Sequence, residues 1–176
     1  SQWQPATAAP SGLHHLLGFN QYVLALSAAG RVQVSVDNGQ NWTSLPQALD
    51  SLTQWAPLPG VGLLALRDES APWLGDTLLV NWRSAAHGLA PNVLHQVYAL
   101  PLSGTWLGFA DRNLLYCYNR DQDRWEQVDA PTAADSLIAF LEDSNGVWWL
   151  GDQQGRIFRS PDGGAAPSTS IALKAV

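Results

Sequence analysis

The stretch Val147-Trp148-Trp149-Leu150-Gly151-Asp152-Gln153-Gln154-Gly155-Arg156-Ile157-Phe158-Arg159-Ser160 reads as strand, turn, strand. An apolar run gives way to a polar turn closing on Gly155, and a second short strand ends at Ser160. That is the grammar of a β-hairpin. It recurs upstream. Thr105 to Ala110, a turn at Asp111-Arg112 and Asn113 to Tyr118 form one copy. Tyr22 to Ser27, a turn at Ala28-Ala29-Gly30 and Arg31 to Ser35 form another. A more degenerate copy runs from Gly62 to Leu66, through an insertion with Pro72, to Thr77–Trp82. Aligned in this way, the copies end at Ser35, Trp82, Tyr118 and Ser160, at spacings of 47, 36 and 42 residues.

Each hairpin is preceded by a short apolar stretch: Leu13 to Gly18, Leu52 to Ala56, Leu94 to Tyr98 and Leu137 to Leu141. Two are followed by a candidate outer strand, Trp42 to Leu45 and Trp125 to Val128. Four strands per repeat of about 42 residues predict an all-β fold, a β-propeller of about four antiparallel four-stranded blades. Radial repetition of this kind keeps sheet edges short. The expected organisation is a single domain over 1–176, with repeats at about 13–51, 52–93, 94–136 and 137–176. Residues 1–12 resemble the segment from Arg124 to Leu137 and read as an extra outer strand. That strand either closes the ring or is the stump of a larger propeller. The segments Ala133 to Leu141 and Pro46 to Leu52 have a helical alternative, but both are short and precede an inner strand, so they read as blade connections.

Composition narrows the function. Charged residues are only 14% of the 176, with one Lys, eight Arg and a formal net charge of −6. Nucleic-acid binding normally needs a basic stripe, and none is present. No apolar run has the length needed to span a bilayer as a helix. Cys117 is the single cysteine, set in an apolar alternation, and reads as buried and structural. His14 and His15 are neighbours on a strand, so they point to opposite faces and do not make a metal pair. His95 stands at the repeat position of His14. Neither a metal nor a cofactor site is expected.

Ser35-Val36-Asp37-Asn38-Gly39-Gln40-Asn41-Trp42 fits S-x-D-x-G-x-x-W at every defined position. It resembles the Asp-box of bacterial neuraminidase repeats. A shorter copy is Ser160-Pro161-Asp162-Gly163-Gly164, and a worn one runs from Tyr118 to Trp125. The physics of the motif is structural. Asp37 can accept hydrogen bonds from turn N–H groups, Gly39 can take positive φ, and Trp42 can cover the turn. Ser35, Asp37, Gly39, Trp42, Ser160, Asp162 and Gly163 are therefore expected to staple blades rather than catalyse.

The segment Gly146 to Gly164 also resembles blades of the Ycf48-type photosystem assembly factors. Similar blades occur in sialidases, sortilin-type receptors and xyloglucan hydrolases. The Ycf48-type resemblance implies a non-enzymatic binding or assembly scaffold with a protein partner, and a lean toward export. The alternative is a carbohydrate-binding or glycoside-hydrolase-related domain. Against a sialidase, the Arg-Ile-Pro motif is missing, and Arg31 and Arg156 occupy the same position in successive repeats rather than one converging site. The acidic pairs Asp68–Glu69, Asp121–Asp123 and Glu142–Asp143 lie in expected turns or strand ends, the ordinary place for solvated acids. The second repeat departs most from the pattern. Arg67, Asp68, Glu69 and Trp73 in its insertion, with Trp55, are the expected binding residues, because loops on a rigid scaffold carry recognition.

Overall fold

The computed structural model describes residues 10–45, 52–67, 70–91, 93–131, 134–160 and 174–175. These form four antiparallel sheets of four strands, each joined in chain order. The first holds β1 (Leu13–Phe19), β2 (Tyr22–Ser27), β3 (Val32–Ser35) and β4 (Thr43–Ser44). The second holds β5 (Leu52–Leu58), β6 (Gly62–Arg67), β7 (Trp73–Gly75) and β8 (Trp82–Ser84). The third holds β9 (Leu94–Leu100), β10 (Thr105–Ala110), β11 (Leu114–Asn119) and β12 (Arg124–Val128). The fourth holds β13 (Leu137–Glu142), β14 (Trp148–Asp152), β15 (Ile157–Arg159) and β16 (Lys174–Ala175). The helical alternative for Ala133 to Leu141 is replaced by strand β13. The first and last outer segments, residues 1–9 and 161–173, lie outside the described residues.

Packing is serial. One apolar layer joins the first sheet to the second: Phe19, Leu24, Leu26 and Val32 meet Leu63, Ala65 and Leu79. A second joins Leu58, Leu64 and Leu66 to Val97, Trp106 and Trp125. A third joins Leu107, Phe109 and Leu115 to Trp148, Leu150 and Phe158. Among the described residues no such layer joins the fourth sheet back to the first. Burial along the strands records this. β6 and β10 are buried on both faces almost without a break, whereas β14 alternates between buried and partly exposed residues. A strand with neighbours on both faces needs a continuous apolar run, and one with a single neighbour needs only every second residue.

Polar bonds fix the joints. The Trp106 indole N–H donates to the Ala56 carbonyl at 2.8 Å, and that of Trp125 to Ala85 at 2.7 Å. The Trp125 backbone N–H donates to His87 at 2.8 Å, so residues 85–88 grip the outer strand of the next sheet. The Gln54 side chain both donates to and accepts from the backbone of Val97. Such pairs satisfy buried groups that would otherwise cost about 1–3 kcal/mol each.

Pairing corrects the second repeat. Leu24, Leu64, Leu107 and Trp149 stand opposite Val34, Leu74, Cys117 and Arg159, so the residue equivalent to Ser35, Tyr118 and Ser160 is Gly75 and not Trp82. The spacings become 40, 43 and 42, more even than the sequence alignment allowed. The segment Thr77 to Asn81, read as a strand, is a turn between β7 and β8.

Candidate binding rim

Two ends of the sheets differ in chemistry. At one end, the turns between third and fourth strands are held by aspartates. Asp37 Oδ1 accepts from the N–H groups of Gln40 and Asn41, and Oδ2 from the Asn41 side chain at 2.7 Å. The Ser35 hydroxyl donates to Asp37 and accepts from Gly39 N–H at 2.8 Å. The Trp42 indole closes the turn on the Gly39 carbonyl. Backbone and side-chain bonds from Asn41, then the bond from Ser35, lower the Asp37 pKa to about 2.

The second sheet has the same device in another spelling. Asp76 accepts from the N–H groups of Leu78, Val80 and Asn81 and from the Asn81 side chain. The Trp82 indole donates to the Leu79 carbonyl at 3.1 Å, as Trp42 does to Gly39. The second repeat has therefore kept a stapled turn of the same length, with its Asp one residue earlier and with Leu79 at φ +57°. The sequence mark of both is an Asp followed by Asn-Trp. In the third sheet Asn119 caps the turn, and Trp125 binds Ala85 of the second sheet instead of its own turn. Ser160 is buried and accepts from Trp148 N–H, while Asp162 and Gly163 lie outside the described residues.

The opposite end is the rim where the first strands begin. There the pairing of first and second strands skips one residue in every sheet, between Leu13 and His15, Leu52 and Gln54, Leu94 and Gln96, and Leu137 and Ala139. A bulge frees one residue from the ladder and re-aims it. The four freed residues are His14, Thr53, His95 and Ile138, and all are exposed. The inner strands converge as they pass between sheets, through the Gln54–Val97 bonds and a bond from the Tyr98 hydroxyl to the Ile138 carbonyl. His95 Nε2 lies 2.8 Å from Asp111 Oδ1, and the bulge at His14 brings the His14 and His15 rings to 4.4 Å between centroids, instead of sending them to opposite faces as a regular strand would. The rim offers imidazoles, a hydroxyl and an isoleucine side chain. The sequence hinted at it only through the shared position of His14 and His95.

The expected binding residues divide. Arg67 ends β6 opposite Leu52, on this rim and beside bulged Thr53. Asp68 and Glu69 lie outside the described residues. Trp73 belongs to a strand rather than a loop, paired with Ala65 and Ser84. Trp55 pairs with the same Ala65, and both indoles pack on the layer between first and second sheets. Trp55 and Trp73 are thus in the repeat pattern, at the positions of Phe140 and Phe158 in the fourth sheet.

Of the candidate acids, Asp123, Glu142 and Asp143 have structural partners. Glu142 accepts from Leu102 N–H and the Ser103 hydroxyl. Asp143 accepts from the N–H groups of Asn145 and Val147 and the Trp149 indole. Asp123 pairs with Arg83 at 2.6 Å and accepts from the Tyr118 hydroxyl. Buried Asp152 bonds Arg156 at 2.7 Å. Burial opposes the Asp152 charge, but backbone bonds from Arg156 and Asp135 and the Arg156 guanidinium hold its pKa below the ordinary range. Arg31 and Arg156 supply equivalent carbonyls, to Ser27 and Asp152 N–H, and so repeat one position. Cys117 is buried, and that burial pushes its thiol up to about 11. Among the described residues no group of three His, Cys, Asp or Glu is placed to hold a metal ion. No described helix is long and apolar enough to cross a membrane.

No family model matches the chain, and no curated protein does. Solved structures do. Ycf48 bound to a D1 peptide superposes with a TM-score of 0.74 at 16% identity, over 99% of this chain and 57% of that one. Ycf48 from Cyanidioschyzon merolae gives 0.61 at 14%, over 88% and 56%. The GH74 xyloglucanase from Xanthomonas campestris gives 0.60 at 17%, over 86% and 27%. The chain therefore spans little more than half the length of the Ycf48 structures. It has the β-propeller fold, with four blades among the described residues.

Proposed function

We propose that this chain is a non-enzymatic binding or assembly scaffold, and that it engages a protein partner at the rim of bulged inner strands. One observation carries the reading: four blades free one residue each at the same register position on the same end. Packing alone needs no bulge there, because the second and third strands of the same sheets pair without one. Propellers recognise partners through such variable positions on a rigid frame. The fold likeness to Ycf48 bound to a D1 peptide supports a protein partner, since a peptide is what that relative holds. Arg67 ends β6 on the same rim and belongs to the proposed surface, for which its sequence neighbours Asp68 and Glu69 are proposed as well, while Trp55 and Trp73 support it from the packing layer beneath.

The test is selection of displayed linear peptides on the purified protein. Enriched peptides are expected to lose binding to a Thr53→Arg, His95→Ala variant and to keep it with Asp121→Arg at the opposite end. Equal loss in both variants refutes the rim. A glycan array and a fluorogenic glycoside panel examine the carbohydrate reading. Binding or hydrolysis there, with no peptide enriched, replaces the proposal.

A further inference from the structure

We infer that the first sheet carries a binding site for an acidic sugar (a carboxylate or phosphate borne on a hydroxylated ring), and that Arg31 takes the anion. A cavity of about 630 Å³ opens against β3 and β4, lined by Arg31, Gln33, Trp42, Ser44 and Ser11 with no carboxylate in its wall. That volume falls within the roughly 300–1,000 Å³ of small-molecule sites. None of the bulged rim residues lines it, so the inference does not rest on the peptide reading. Comparison with the fourth sheet shows what is unusual. Arg31 and Arg156 hold one repeat position, each accepting at its carbonyl from the N–H four residues before, Ser27 or Asp152. In the fourth sheet Asp152 binds the Arg156 guanidinium at 2.7 Å, and the Phe158 ring lies under it, 5.9 Å from Cζ. In the first sheet both partners are exchanged. Ser27 stands for Asp152, and its hydroxyl accepts from the Arg31 backbone N–H. Gln33, opposite Ala25, stands for Phe158, opposite Leu150. Among the described residues the Arg31 guanidinium therefore has no counter-ion.

The lining defines what fits. A guanidinium stays charged and presents paired N–H groups that match the oxygens of a carboxylate or phosphate. The second, third and fourth sheets place an aromatic where Gln33 stands, Trp73, Tyr116 and Phe158, so the first sheet alone offers an amide there. The side-chain polar groups of Gln33, Ser44 and Ser11 make no hydrogen bond among the described residues and are unspent. They suit ring hydroxyls, which both donate and accept. The Trp42 indole is fixed by its N–H on the Gly39 carbonyl and adds an apolar ring for the C–H face of a sugar. Asp37, bonded to Asn41 at the edge of the cavity, is spent on the donors of its own turn.

The experiment titrates the purified protein by calorimetry with glucuronate, a hexose phosphate, glucose and inorganic phosphate. One or both acidic sugars are expected to bind, with glucose and inorganic phosphate roughly tenfold weaker or silent. Arg31→Gln is expected to weaken the acidic sugar roughly tenfold or more, the loss of a charge-assisted bond, with little change in melting because the side chain is exposed. Arg120→Gln removes an equal charge from the Gly104 carbonyl at the opposite end and is expected to change nothing. Ser44→Ala is expected to weaken binding roughly two- to fivefold, and carries the test if Arg31→Gln melts low. Binding of glucuronate alone assigns the anion as a carboxylate, and of the hexose phosphate alone as a phosphoryl group. Inorganic phosphate binding as tightly as the hexose phosphate marks an adventitious ion only and overturns the inference. So do equal affinity for glucose, silence from every sugar, or equal losses in the Arg31 and Arg120 variants.

Discussion

Gly88 sits where the second sheet grips the third, and replacing it with Ala isolates the strength of that grip. Its φ is +89°, and a Cβ built there meets the Trp125 carbonyl oxygen at 2.1 Å, well inside any normal contact. The carbonyl cannot swing away freely. Trp125 is held by its backbone N–H on His87 and its indole N–H on Ala85, at 2.8 and 2.7 Å. Left-handed backbone costs an L-residue about 1–2 kcal/mol. Overpacking a rigid site adds about 1–3 kcal/mol. Gly88→Ala is therefore expected to destabilise by about 2–5 kcal/mol. Gly155→Ala is the control, since Gly155 has φ +77° and nothing within 4 Å of the added Cβ. It keeps only the strain, about 1–2 kcal/mol. Urea unfolding followed by tryptophan fluorescence measures both, with the slope held constant as the check on two-state behaviour. Losses equal within about 0.5 kcal/mol, which is ordinary for sites of one kind, refute the clamp.

Asp37 has a folded pKa depressed to about 2, so its stabilising contribution is present above the unfolded value and lost as pH falls through the folded one. Asp37→Asn is expected to flatten the fall in stability between about pH 4 and 2, read by acid unfolding. Leu79→Gly relieves a φ of +57° but removes a side chain that is 4% exposed. Strain relief of about 1 kcal/mol loses to a cavity of about 2–5 kcal/mol, so the variant is expected to melt lower, and a gain in melting temperature contradicts the packing. Cys117 is buried with a thiol raised to about 11. An aromatic disulfide reagent at neutral pH is expected to leave it untouched until denaturant is added, and rapid native labelling would show an open third layer.

The hairpin rhythm and the Asp37 turn were legible because both are local. Alternation, a turn glycine and a capping carboxylate act within a few residues of one another. The second repeat misled the alignment for a physical reason. Trp82 resembles a strand terminus in sequence, yet its indole closes a turn as that of Trp42 does, around a leucine in a conformation leucine disfavours and with the capping Asp one residue earlier. Trp55 and Trp73 looked irregular only because that register was off. The bulges were hidden in a different way. Skipping Thr53 or Ile138 leaves the apolar pattern on both sides intact, so periodicity carries no trace of it. Trp125 looked like a local staple, and its partner lies forty residues away in sequence.

Because each apolar layer is shared by only two consecutive sheets, the molecule behaves as a short row of coupled units rather than as one indivisible core. Among the described residues, its inner two units each hold two couplings, and its outer two hold one. In such an array, opening starts at the ends and moves inward, and stability is a sum over junctions. Amide hydrogens of β6 and β10 thus belong to the slowest-exchanging set, and those of β1 and β13 to a faster one. The same arithmetic means that adding a unit at an end strengthens its neighbour more than it alters anything farther along.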